Sequence, residues 1–254
     1  MKKTTIFFTG IMSLCLSAPA FASGFPDYIK GADIEARELD VQYQYVYTED
    51  DKAKKDGKIK QKLEAYYGLN DDWLILGGAK VSRDYKHSTD INAVYLGAAY
   101  QFIDYADYGF NASILAEYIH GVDDYTANEL EYRLQADTKW GPGKKLKTKA
   151  NLVFQNEFGE YRKSGTQLIS RLSTTYKVAS YFKPGFEWHA GYGKLNDISE
   201  SNAQEHYLGP VVYGEFEQFS NGAELEYQIG WLPGVTDGSV DHAFKFLLEY
   251  EMNF

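Results

Sequence analysis

The sequence holds one cysteine, Cys15, among 254 residues, and no apolar run of 18 residues beyond its first 22 positions. The missing run excludes a membrane-spanning helix. The missing thiols mean that the chain beyond residue 22 has no disulfides, so its stability comes from the fold alone. Positive charge is also short: 26 Lys and Arg stand against 36 Asp and Glu, a formal charge of −10. Such acidity argues against nucleic acid as a partner. No G-x-S-x-G or H-x-x-x-H occurs, and no clustered ligand spacing, so the sequence offers no catalytic motif, no metal set and no cofactor signature.

What is present begins with an address. Met1-Lys2-Lys3 precedes an apolar stretch from Ile6 to Pro19 and then Ala20-Phe21-Ala22. A basic start, a short apolar core and an A-x-A site predict a cleaved signal peptide over 1–22, leaving 23–254 as one domain. Leu14 is the wrong residue before Cys15 for a lipidation site. Removing Lys2 and Lys3 takes the formal charge from −10 to −12.

Mean hydropathy is −0.44, a value that looks soluble. Averages are blind to alternation, because a strand with one face in lipid and one in water has an ordinary mean but a strict period of two. In Glu129–Trp140, "ELEYRLQADTKW", the even positions are Leu, Tyr, Leu, Ala, Thr and Trp, while every odd one is charged or an amide. A helix mixes these sets around its circumference; only a strand keeps them apart. The same segregation runs through Asp40–Tyr47, Leu146–Phe154, Thr166–Val178 and Ala223–Trp231. It predicts about twelve strands near 38–47, 58–68, 73–84, 92–102, 110–120, 129–140, 146–157, 166–178, 185–193, 206–214, 222–232 and 242–254. Those at 73–84, 92–102 and 206–214 alternate less cleanly. Residues 23–33 carry no usable pattern.

Connections alternate between a shorter set (69–72, 103–109, 141–145, 179–184, 215–220) and a mostly longer or more charged set (48–57, 85–91, 122–128, 159–165, 194–205, 233–241), the asymmetry of outer-membrane barrels. Aromatics sit near strand ends, among them Tyr43, Tyr47, Trp73, Tyr132, Trp140, Tyr176, Trp188, Tyr227 and Trp231, as girdles at two lipid–water interfaces require. A sheet in lipid must close on itself to satisfy its backbone. The expected fold is therefore all-β, a closed antiparallel transmembrane β-barrel with both termini periplasmic; the competing reading is a secreted soluble β-protein.

The last strand, "KFLLEYEMNF", places Phe246, Leu248, Tyr250, Met252 and Phe254 on one face and ends on phenylalanine. It resembles the assembly signal of Gram-negative outer-membrane proteins. The hairpin "YYGLNDDWLILGG" is similar to the periplasmic turn of small transporter-like barrels. The resemblance implies a place in the cell outer membrane, contact with its lipid and lipopolysaccharide, and recognition by the barrel-assembly machinery. Twelve-stranded members of that class include oligosaccharide- and sialic-acid-type porins, nucleoside channels, lipid-modifying enzymes and autotransporter translocators. No motif selects among them.

If the apolar face meets lipid, the other lines a lumen. Parity puts Arg133, Lys139, Lys147, Lys149, Arg171 and Lys177 on one arc. Glu224, Glu226, Glu249 and Glu251, with Glu187 and Asp40, gather toward the closing seam; His189 and Lys245 also face inward. Opposed arcs create a transverse field that orients charged solutes. The reading is a channel for small hydrophilic solutes. The alternatives are an adhesin or structural barrel acting through its loops, and a lipid hydrolase using residues such as Ser113 and His120, which parity places on opposite faces.

Overall fold

The structure, a computed structural model, describes residues 26–52, 56–83, 90–123, 126–160, 162, 164–216 and 223–254. The expected leader, and parts of the connections at 48–57, 85–91, 122–128, 159–165 and 215–220, lie outside them. The strands are β1 (Glu38–Glu49), β2 (Ile59–Gly68), β3 (Trp73–Arg83), β4 (Asp90–Ile103), β5 (Asn111–Gly121), β6 (Asn128–Trp140), β7 (Leu146–Phe158), β8 (Thr166–Tyr176), β9 (Lys183–Lys194), β10 (Asp197–Ile198), β11 (Glu205–Phe216), β12 (Glu224–Pro233) and β13 (His242–Asn253). The two-residue β10 only folds back on β9. The other twelve form the wall, each antiparallel to its neighbours, with β9 paired to both β8 and β11. β13 returns to β1 from Glu38↔Asn253 to Glu49↔His242 and closes the barrel. One rim, the terminal rim, carries the start of β1, the end of β13 and the short connections, including α1 (Tyr105–Tyr108), which Asp104 caps by accepting from the Ala106 N–H at 2.6 Å.

Parity decides which way each residue faces. On β6, Glu131, Arg133, Gln135 and Asp137 are buried in the interior while Tyr132 and Leu134 lie on the outer surface. The outer face is an apolar belt of residues such as Leu63, Ile75, Leu96, Ile114, Leu172, Phe186 and Ile229. Aromatic rows flank it. At the terminal rim Trp73 packs on Tyr100 with centroids 4.8 Å apart. At the opposite rim Tyr47 and Trp231 flank Phe244 across three strands. An apolar belt on the outside and charge on the inside inverts the pattern of a soluble barrel and identifies a transmembrane one.

Leu96, at the middle of β4, is 72% exposed and lies on this belt. Leu96→Arg is expected to destabilise the barrel by ~2–4 kcal/mol, against under ~1 kcal/mol for Phe102→Arg near the rim. Denaturant unfolding in lipid vesicles, followed by tryptophan fluorescence, checks the difference; equal losses at the two sites contradict the belt.

The interior is not uniformly polar. Tyr66, Leu76, Ala93, Tyr95, Ala99, Leu115 and Ile119 form an inner apolar cluster on β2–β5. This is why β3 and β4 alternate poorly in sequence: both of their faces are apolar. Gly78 has no side chain because Tyr95 lies over it, its hydroxyl 2.5 Å from where a Cβ would stand. A second cluster, Val46, Tyr207, Val211, Leu232, Val240 and Ala243, lies under the 234–241 connection. That connection folds inward at the mouth, where the Val240 N–H donates to the Tyr207 hydroxyl at 3.1 Å.

Candidate functional site

Of the residues without a sequence pattern, 26–33 are described, and they enter the lumen. Pro26–Lys30, Ala32 and Ile34 are all buried, and the segment 26–36 runs inside the barrel as a strap. It reaches the interior from the terminal rim. Arg37 adopts a left-handed conformation (φ 63°), and its N–H donates to the Gly68 carbonyl at 2.8 Å. The turn joins the strap to β1. Gly68 is required there, since a Cβ would lie 1.9 Å from the Glu35 carbonyl oxygen.

Buried backbone needs partners, and the wall supplies them through side chains. The Lys30 N–H donates to Asn151 Oδ1 at 3.1 Å, and Asn151 Nδ2 donates back to the Lys30 carbonyl at 2.9 Å. The Ala32 N–H donates to Asp137 Oδ1 at 2.7 Å, and the Ile34 N–H to Gln101 Oε1 at 2.8 Å. Alternate residues of an extended strap thus bond to β7, β6 and β4 in turn. Ile34 also packs into the β2–β5 apolar cluster.

Charge fixes the strap further. Lys30 Nζ is 3.4 Å from Glu64 and 4.0 Å from Glu117, and it stands 4.0 Å over the Tyr66 ring. Asp27 Oδ2 is 3.6 Å from each of Lys60 Nζ, Lys62 Nζ and Arg171 Nη2. Burial by itself raises the Asp27 carboxyl, but Lys60, Lys62 and Arg171 outweigh it and hold its pKa well below the usual carboxylate range. Lys245 Nζ donates to the Asp27 carbonyl at 3.2 Å, and Lys149 Nζ to the Tyr28 hydroxyl at 3.1 Å.

Behind the strap the wall carries its own network. Glu187 accepts from Lys245 Nζ at 2.7 Å and from the Tyr213 hydroxyl and Gln228 Nε2, each at 2.5 Å. His189 Nε2 lies 2.9 Å from it and must carry the proton to meet a carboxylate. Arg133 bonds to Glu131 and lies 3.5 Å from Glu117.

Of the residues expected at the lumen, Arg133, Arg171, Glu187, His189 and Lys245 are fully buried in the mid-barrel. Lys147, Lys149, Glu224, Glu226, Glu249 and Glu251 are half-buried toward the terminal rim, whereas Lys139 and Lys177 are largely in solvent; Lys177 and Lys183 share Glu215. Cross-strand register sets like charges opposite each other: Lys139 faces Lys147, Glu224 faces Glu251, and Glu226 faces Glu249. Glu38, Asp40 and Glu251 place carboxylate oxygens within 4.8 Å of one another at the seam. The terminal vestibule therefore has a basic wall on β6–β9 and an acidic wall on β12, β13 and β1. Part of it is a recess of about 390 Å³, open mouth included, lined by Lys147, Lys149, Lys183, Ser173, Tyr213 and Glu226 among others. Ser113 is buried against Gln135 at 3.0 Å, while His120 points outward to Asn128, so the two do not meet. Phe246, Leu248 and Phe254 lie on the outer surface.

A closed twelve-stranded wall, apolar outside and charged within, defines an outer-membrane β-barrel. Within that class, residues 32–206 match the family described as "Protein of unknown function, DUF481", and the chain belongs to it. No curated protein matches the sequence. Among solved structures, the COG4313 outer membrane channel from Pseudomonas putida F1 is similar at 13% identity and TM-score 0.59, over 90% of this chain and 99% of that one. The β domain of the Bordetella autotransporter BrkA is similar at 12% identity and TM-score 0.56, over 85% and 98%. The NanC porin is similar at 12% identity and TM-score 0.53, over 85% and 100%. The likeness is one of fold, shared by channel, porin and autotransporter alike.

Proposed function

We propose that this protein is an outer-membrane channel for small hydrophilic solutes, with both termini in the periplasm, whose charged lumen is shut in the described state by residues 26–36. The observation that carries the reading is the nature of the obstruction. The mid-lumen is filled by a segment that runs into β1 and is held by side chains rather than by the strand ladder. Charged and amide side chains line the space it fills, and these can be hydrated once it leaves. The opposed basic and acidic walls of the vestibule supply the transverse field that selects and orients solutes.

A second reading, a sealed barrel acting through its loops, draws support from the two inner apolar clusters and the folded-in 234–241 connection. Planar-bilayer recording separates them. The channel reading expects discrete conductance steps whose reversal potentials shift on ion substitution, and slower steps with larger sugars. Silence from the intact protein, and equally from protein lacking the strap, overturns it.

A further inference from the structure

Arg171 is not explained by a merely mechanical plug. Its side chain is 4% exposed, and Nε and Nη1 have no hydrogen-bond partner. Nη2 reaches only Asp27 Oδ2, at 3.6 Å, beyond hydrogen-bond length. Among the described residues this is Arg171's single ion pair. Lys62 and Lys245, by contrast, are shared with wall carboxylates, Glu64 at 3.3 Å and Glu187 at 2.7 Å. Cations from β2 and β8 thus converge on one carboxylate oxygen, and Lys245 of β13 touches the same residue's carbonyl. A buried guanidinium is a fork built for two oxygens. Asp27, tethered to the strap, engages it loosely through one nitrogen.

We propose that Arg171, Lys60 and Lys62 form a carboxylate-binding site of the lumen, that Asp27 is its internal occupant, and that a small free carboxylate competes with Asp27 and so releases the strap. The inference rests on the channel reading for its route, but its binding step does not. A free carboxylate is not bound to the strap's backbone geometry and can take Nε and Nη1 together. A ligand with affinity only for the strap-released state shifts the population toward it. Lys30, three residues on, keeps its own partners, Glu64 and Glu117, so release begins at the Asp27 end of the strap.

The test reads strap exposure rather than current. Gly31→Cys is placed in a chain carrying Cys15→Ser; a Cβ at position 31 meets nothing nearer than 3.5 Å. The folded protein in vesicles is treated with a membrane-impermeant maleimide in sodium acetate or in sodium chloride of equal ionic strength. Acetate is expected to accelerate labelling about fivefold or more, the low end of ordinary ligand–conformation coupling. Asp27→Asn added to Gly31→Cys is expected to label fast in chloride and to lose the acetate response; Arg171→Gln is expected to lose the response as well. Equal rates in acetate and chloride, or an acetate response that survives Arg171→Gln, overturn the proposal. Such a failure leaves the channel reading standing, because that reading is judged on conductance alone.

Discussion

Deleting residues 26–34 is expected to turn a nearly silent barrel into a conducting one, with a time-averaged conductance per inserted molecule raised about 100-fold. The magnitude follows from the grip on the strap. Hydrogen bonds involving charged groups contribute ~1.5–3 kcal/mol each, and a 100-fold population ratio needs only ~2.7 kcal/mol. The Ala32–Asp137 and Lys30–Glu64 hydrogen bonds, both to charged groups, together exceed that. On the channel reading, the intact protein is therefore expected to conduct for under ~1% of the time. The wall should survive the deletion. Its strand ladder is untouched, and the charges left behind face a lumen that water can fill. Equal insertion is checked by the heat-modifiable mobility of folded barrels on gels. Deleted protein that inserts normally and stays silent refutes the gating role.

Glu187→Ala is expected to destabilise the barrel by ~3–5 kcal/mol, the range for breaking a buried ion pair from one side. Its carboxylate is the common acceptor for Lys245, His189, Tyr213 and Gln228. Losing it leaves a buried ammonium with only the Asp27 carbonyl. Glu187→Gln keeps the shape and loses the charge, so a smaller loss of ~1–3 kcal/mol is expected. Lys245→Met combined with Glu187→Gln should cost less than the sum of the two single changes, because neither partner is then left charged alone. Denaturant unfolding in vesicles measures all four proteins. Strict additivity shows that the pair is not coupled.

The wall was almost entirely legible in the sequence. Strands such as β6 and β7 segregate charge from apolar residues so strictly that the face of each residue follows from parity. The weak points have physical causes. β3 and β4 alternate poorly because Leu76, Ala93, Tyr95 and Ala99 pack inward against Ile34 rather than facing water. The strap itself was invisible. Periodicity marks an element that lies between lipid and water, or between core and water; Asp27, Lys30 and Ala32 lie between two polar surfaces and need no such pattern. Lys139 and Lys177 show the limit of parity in another way. It assigns a face but not a depth, and both lie at the rim.

The seam between β1 and β13 joins the first strand of the wall to the last, Glu38 to Asn253. The strap precedes β1 and lies within the ring that this seam completes. Its capture is thus a matter of timing as much as of affinity. While the cylinder is still an open trough, the amino-terminal segment can lie down sideways onto Asn151, Asp137 and Gln101. After the ends are stitched together, it can reach them only lengthwise, through an aperture. The carboxy-terminal strand then acts as a clasp, and on the channel reading the order of strap capture and barrel closure is expected to set which molecules are stoppered and which are open.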